Sequence, residues 1–183
     1  EAAPPNIVHV LDQSGRMGRR RWDSVKRALY RFIGLLTEGT SLAIVVYGET
    51  ASLVLPPTTV TEEKREGLHG RVPRRVLEQS LAAPCLKCGL ELAASTLRKA
   101  GGSVVLVTRD DGALAGSVLE EVNSASTQLF TLAFPAFESS VISPLASLST
   151  YYRVNEATSS LSSLTASLLD VLNRVTPGQA KVQ

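Results

Sequence analysis

No apolar run in the chain approaches the ~18 residues that a membrane-spanning helix needs, so no stretch reads as a bilayer span. The first residues do not have the pattern of a signal peptide. The chain begins at Glu1 rather than Met, and it is expected to be one domain cut from a longer protein. Histidine is scarce, with only His9 and His69. That leaves no evident Ser-His-Asp set. It also leaves Cys85 and Cys88 short of the two further ligands that a zinc site requires. The Cys-x-x-Cys pair therefore reads as a short disulfide, a redox pair or two free thiols, with half a zinc site the weakest option. There is no His-Glu-x-x-His and no Gly-x-x-x-x-Gly-Lys phosphate loop. A net charge of +2 is too small to argue for nucleic acid. Linkers, low-complexity tracts and internal repeats are absent.

What remains is a globular composition, 44% hydrophobic and 20% charged over 183 residues, enough for one substantial core. The chain is organised around Asn6–Met17, NIVHVLDQSGRM. Ile7, Val8, Val10 and Leu11 read as a strand buried on both faces, with His9 inside it. The strand releases Asp12 and Ser14 at its carboxyl end, where α/β sheets place their ligands. A basic loop, Arg16 to Arg21, follows. A helical pattern then runs from Trp22 to Leu36, closed near Gly39.

Further along, Ser41–Tyr47 is a second buried strand and Ala51–Leu55 a third. Gly48-Glu49-Thr50 is short enough for a hairpin, so the third strand should be antiparallel at an edge and stopped by Pro56 and Pro57. A polar helical turn opens at Thr61 and reaches Gly67 to Gly70. Arg71–Pro84 is basic and without clear period. Cys85–Ala100 is helical, and Ser103–Thr108 is a buried strand that ends in Arg109, Asp110 and Asp111. A helix through Leu114, Val118 and Val122, a strand Gln128–Phe134, a short helix Ser140–Leu148 and a strand Tyr151–Val154 come next. A last helix begins after Ser159 or Ser160 and ends before Pro177. The alternation predicts a doubly wound α/β domain: a six-stranded, mostly parallel sheet with one antiparallel edge strand and helices on both faces.

A strand closing in Asp-x-Ser-Gly-x-Met before a helix resembles the von Willebrand factor A domain. That family's Asp-x-Ser-x-Ser opens a metal-ion-dependent adhesion site. The order of elements is similar along nearly the whole chain. The segment KCGLELAASTLRKAGGSVVLVT, Lys87 to Thr108, is similar to the calcium-activated chloride channel regulators. The resemblance implies an extracellular or cell-surface protein-binding module. It also implies a parent similar to secreted, self-cleaving metalloproteases that modulate chloride currents, none of whose protease residues lie in this segment.

The same resemblance implies a magnesium or calcium site with ligands at Asp12 and Ser14, a second hydroxyl where this chain has Arg16, and a threonine where it has Pro84. An aspartate is expected where strand register puts Arg109, or Asp110 with one extra residue. A cation and a proline in ligand positions predict a vestigial site and no cofactor, with an occupied magnesium or calcium site as the alternative. Read blandly, Asp12 and Ser14 only shape a turn, and Arg19-Arg20-Arg21 is a solvated face. The functional expectation is that Arg16, Arg19, Arg20, Arg21 and Arg109 receive an acidic residue of a protein partner. Nucleic acid and direct membrane insertion are not expected. An enzyme using Asp12 as nucleophile for phosphoryl transfer is the rival reading. Such enzymes carry a second aspartate two residues on, where this chain has Ser14.

Overall fold

β1 (Asn6–Asp12) is apolar at successive positions because it serves two cores at once. Ile7 and Leu11 face one layer, built with α1 (Gly18–Leu35). Val8 and Val10 face the other, built with α3 (Leu86–Leu97). A strand with helices on both sides has no solvent face, so the period-2 polarity of a half-exposed strand is lost. The computed structural model describes residues 4–77, 83–97, 101–110, 127–136 and 143–180, with side chains to residue 175 in the last helix. Within these the sheet has six strands in the order β3-β2-β1-β4-β5-β6. The other strands are β2 (Ser41–Tyr47), β3 (Ala51–Thr59), β4 (Gly102–Asp110), β5 (Thr127–Pro135) and β6 (Thr150–Arg153). The remaining helices are α2 (Glu62–His69), α4 (Pro144–Leu148) and α5 (Ser160–Ala180). Only the β2–β3 pairing is antiparallel. The chain winds outward from β1 in one direction and then from β4 in the other, so a crevice opens at the carboxyl ends of β1 and β4.

Several boundaries differ from the sequence expectation. β3 does not stop at Leu55 but passes through Pro56 and Pro57 to Thr59. As an edge strand it needs no amide on its outer side, and register shifts around Ile44 absorb the irregularity. α1 starts at Gly18 rather than Trp22, so Arg19, Arg20 and Arg21 form its first turn instead of a loop. Its end is not closed by Gly39. The Arg65 guanidinium donates to the carbonyls of Ile33 (2.6 Å) and Leu36 (2.8 Å) at the helix end, the Ile33 carbonyl also accepting the Leu36 amide at 3.4 Å. β4 runs on through Arg109 and Asp110 because β5 pairs with it to the end, Arg109 opposite Phe134 and Asp110 opposite Pro135. α5 continues past Pro177, losing one ladder hydrogen bond near its end. The helix expected over Leu114–Val122 lies outside the described residues, as do the first residues of the one expected at Ser140 and the last of the one expected to reach Ala100. Among the described residues no helix is long and apolar enough to cross a membrane.

His9 is fully buried in β1, edge-on to Phe32 at 4.7 Å between ring centroids. Neither ring nitrogen has a hydrogen-bond partner among the described residues. Burial pushes its pKa down from 6.5 to about 3. The unfolded chain therefore takes up this proton first as pH falls. The contribution is intact above about pH 6.5 and is lost progressively towards pH 3. Wild type and His9→Phe should diverge by roughly 3 kcal/mol between pH 7 and pH 4, the wild type weakening more. Urea denaturation of both at the two pH values checks this, and parallel curves would refute it.

Candidate functional site

Asp12 is the last residue of β1, 1% exposed. Each of its carboxylate oxygens accepts a backbone amide. Oδ1 accepts the Ser14 amide at 2.9 Å, turning the chain out of the sheet, and Oδ2 accepts the Arg109 amide from β4 at 3.3 Å. Burial pushes the Asp12 carboxyl up. Ser14, the Arg109 amide and the nearby charge of Arg16 pull the other way. The turn continues with the Met17 amide donating to the Ser14 carbonyl, which delivers the chain into α1. The Ser14 hydroxyl is buried and has no hydrogen-bonded partner of good geometry among the described residues.

Side-chain alternation separates the two residues at the end of β4. Asp110 follows Val104, Leu106 and Thr108 on the α3 side, the side that Asp12 shares with Val8 and Val10. It is buried, and its Oδ2 accepts the Tyr151 hydroxyl of β6 at 2.7 Å. Burial first, and that carboxylate next, raise the Tyr151 hydroxyl. Thr108 Oγ1 is 2.9 Å from the hydroxyl of Tyr47, the β2 partner of Asp12. Pro84 precedes Cys85, whose amide donates to the Gly48 carbonyl next to Tyr47. Asp12, Pro84 and Asp110 thus all lie at the carboxyl end of the sheet. Among the described residues no three His, Cys, Asp or Glu side chains are grouped so that they could hold a metal ion between them.

The five arginines do not act alike. Arg16, Arg19 and Arg20 are exposed. Arg21 is half-buried, ion-paired through Nε with Glu156, hydrogen-bonded to the Met17 carbonyl and 6.0 Å above the Phe134 ring. Arg109 lies across the sheet from Asp110, on the α1 side. Its pKa is lowered by burial first and by the charge of Arg21 next, against the pull of Glu156 and Asp12. Arg21 and Arg109 are thus drawn into the protein and not presented outward. An open groove of about 950 Å³ runs between the start of α1 and the start of α5, bounded by Met17, Arg19, Arg20, Arg21, Glu156 and Ser159.

Two further arginines join this face. Residues 73–77 are strapped against it. The Gln13 amide donates to the Arg75 carbonyl at 2.9 Å, and the Leu77 amide donates to the Gln13 carbonyl at 2.7 Å. Trp22 Nε1 and Lys26 Nζ bind the carbonyls of Pro73 and Arg74, each at 2.9 Å. Arg74 and Arg75 are thereby held, exposed, beside the Asp12 turn. Their only sequence signal was the basic stretch after Gly70. Glu156, a single acid in a polar loop, gave none.

Residues 7–113 match the family model described as von Willebrand factor type A domain. No curated protein sequence matches the chain. Solved structures share the fold. One is a von Willebrand factor type A protein from Catenulispora acidiphila (TM-score 0.70, 16% identity, 91% of this chain and 42% of that one). Another is proximal thread matrix protein 1 of the mussel byssus (TM-score 0.72, 14%, 93% and 48%). A third is the PilB minor pilin from Streptococcus sanguinis (TM-score 0.71, 10%, 98% and 63%). At these identities the likeness is one of fold. The chain spans less than half the length of the first two.

Proposed function

The chain belongs to the von Willebrand factor type A domain family, whose members are in general protein-interaction modules and not enzymes; from that premise we propose that it binds an acidic segment of a protein partner through its arginine face, without needing a divalent ion. The observation that carries this reading is the state of Asp12. Both of its oxygens hold backbone amides, so it serves as the pin of the β1–α1 turn. The donor set fits an ion poorly. Asp110 gives one oxygen to Tyr151, Pro84 has no side-chain oxygen, and Arg16 places a cation where a hydroxyl is needed. A hard divalent ion needs about six oxygens, and a guanidinium beside it repels it.

In metal-loaded adhesion sites the ion puts positive charge at the mouth of a loop cluster and meets a carboxylate of the partner. Arg16 keeps positive charge beside Asp12. Arg19, Arg20, Arg74 and Arg75 extend that charge, and none of these four has a carboxylate partner among the described residues. Guanidinium forks suit carboxylates. The likeness of Lys87–Thr108 to the calcium-activated chloride channel regulators supports an extracellular setting within a regulator of that kind.

An oligoglutamate peptide is a suitable probe. Its binding should survive a chelator and weaken with added salt, because exposed charges are screened over about 8–10 Å. Binding should fall about tenfold, ~1.4 kcal/mol, when Arg19 and Arg20 are both Ala, with a loss of similar size for Arg16→Ala. Binding that is abolished by chelation yet unchanged in these variants would overturn the reading. It would favour instead an occupied magnesium or calcium site, which the Ser14 hydroxyl, buried beside the Asp12 carboxylate, would support.

A further inference from the structure

Cys85 and Cys88 have no part in the arginine face, yet their placement is specific. Cys85 immediately precedes α3, Cys88 stands in its first turn, and the two are disulfide-bonded. The Cys85 amide donates to the Gly48 carbonyl at 2.6 Å, fixing the residue against the β2–β3 turn. The Cys88 amide donates to Cys85 Sγ at 3.1 Å. Both residues are partly exposed.

The bridge spans two intervening residues that α3 already holds in place. A cross-link over so short a loop removes little chain entropy, so it is a weak staple. What the geometry does well is hold negative charge on Cys85 Sγ. The first amides of a helix lack intrahelical partners and carry the positive end of its dipole, and one of them already points at this sulfur. A cysteine in such a place has a pKa below the usual ~8.5 and leaves readily as thiolate. The charged groups nearby in sequence do not cancel this. Lys87 and Glu91 face each other at 3.7 Å, and Glu49 is exposed at the hairpin tip.

We propose that Cys85–Cys88 is a thiol–disulfide exchange site whose co-reactant is a dithiol. One thiolate of the dithiol attacks Cys88 Sγ, the Cys85–Cys88 bond breaks, and the bond's electron pair leaves on Cys85 as thiolate. The second thiolate of the dithiol then attacks its own mixed-disulfide sulfur and releases Cys88. The dithiol is oxidised by two electrons to a disulfide. Cys85 and Cys88 are reduced by the same two electrons; Cys88 takes up one of the two protons the dithiol loses, and the other goes to Cys85 or, where Cys85 stays thiolate, to solvent. In reverse, the Cys88 thiolate opens the co-reactant's disulfide, and the Cys85 thiolate then attacks Cys88 Sγ and re-forms the bridge.

The test is to reduce the native chain with dithiothreitol and follow alkylation by iodoacetamide against pH, with mass spectrometry locating the label. Cys88→Ser isolates Cys85, and Cys85→Ser isolates Cys88. Reduction should leave the far-ultraviolet circular dichroism unchanged. At pH 6.5 Cys85 should be alkylated about fivefold or more faster than Cys88, and oxidised dithiothreitol should restore the bridge. Equal rates that both follow a free-thiol profile near pH 8.5 would overturn the proposal. So would a bridge that opens only when circular dichroism shows the chain unfolded.

Discussion

Replacing Gly102 with Ala is expected to destabilise the domain by about 3–5 kcal/mol, a large part of the 5–15 kcal/mol of an ordinary domain. Gly102 opens β4 at φ +146°, where a side chain is strained regardless of space. There is also no space. A Cβ there would lie 2.3 Å from the Asn6 carbonyl oxygen and 3.1 Å from Leu97 Cδ2. The obstacle is the backbone of β1, so relief means shifting the central parallel pair of the sheet. Gly34→Ala is the contrasting variant. Gly34 is exposed in α1 with nothing within 4 Å of its would-be Cβ, and the change should stabilise by about 0.5–1 kcal/mol. Urea denaturation of the two variants checks both signs. A Gly102→Ala protein within 1 kcal/mol of wild type would show that β1 and β4 are not held in this register.

Asp12→Ala should cost about 2–4 kcal/mol at neutral pH, because it strips the acceptor from the Ser14 and Arg109 amides at a buried turn. Part of the loss is returned, since burial makes the charged Asp12 unfavourable. A carboxyl whose pKa is raised by folding gains its proton in the folded state first. Its contribution therefore becomes more favourable as pH falls through the folded value, and is least favourable at neutral pH. Asp12→Asn keeps one acceptor and removes the charge, so it should cost clearly less than Ala. The comparison bears on function. If the turn is pinned by Asp12 alone, magnesium should leave the denaturation midpoint of the wild type unchanged. A midpoint that rises with magnesium and loses that rise in Asp12→Asn would mean an ion binds there.

Much of this was legible in the residues. Apolar, largely β-branched runs at Ile7–Leu11, Ser41–Tyr47 and Ser103–Thr108 read as strands covered on both faces, and the three-residue Gly48–Thr50 link favours the antiparallel pair seen among the described residues. Burial of apolar surface is a property of composition and period, so it survives reading along the chain. The carboxyl-end position of Asp12 follows from the same logic. The ends of elements were less legible. The proline stop at Pro56 failed because edge position, a fact of the whole sheet, relieves proline of its missing donor. Arg19 to Arg21 proved helical because the Asp12–Ser14–Met17 turn starts α1 early.

The division at the arginine face has the same cause. By itself the sequence determined that a strand releases Asp12 and Ser14 into a basic segment; that Arg16 and Pro84 stand in ligand positions is what the family resemblance implies. Only the tertiary structure decided what each charge does. Arg21 and Arg109 are drawn inward because Glu156, 135 residues further along the chain from Arg21, comes to lie beside them. Arg74 and Arg75 are brought outward beside the site because Gln13, Trp22 and Lys26 bind the strap's backbone carbonyls, not its side chains. Backbone acceptors are the same at every residue, so no pattern of residue types marks them. Long-range ion pairs depend on which loops the sheet order makes neighbours, and that order exists only once the sheet has formed.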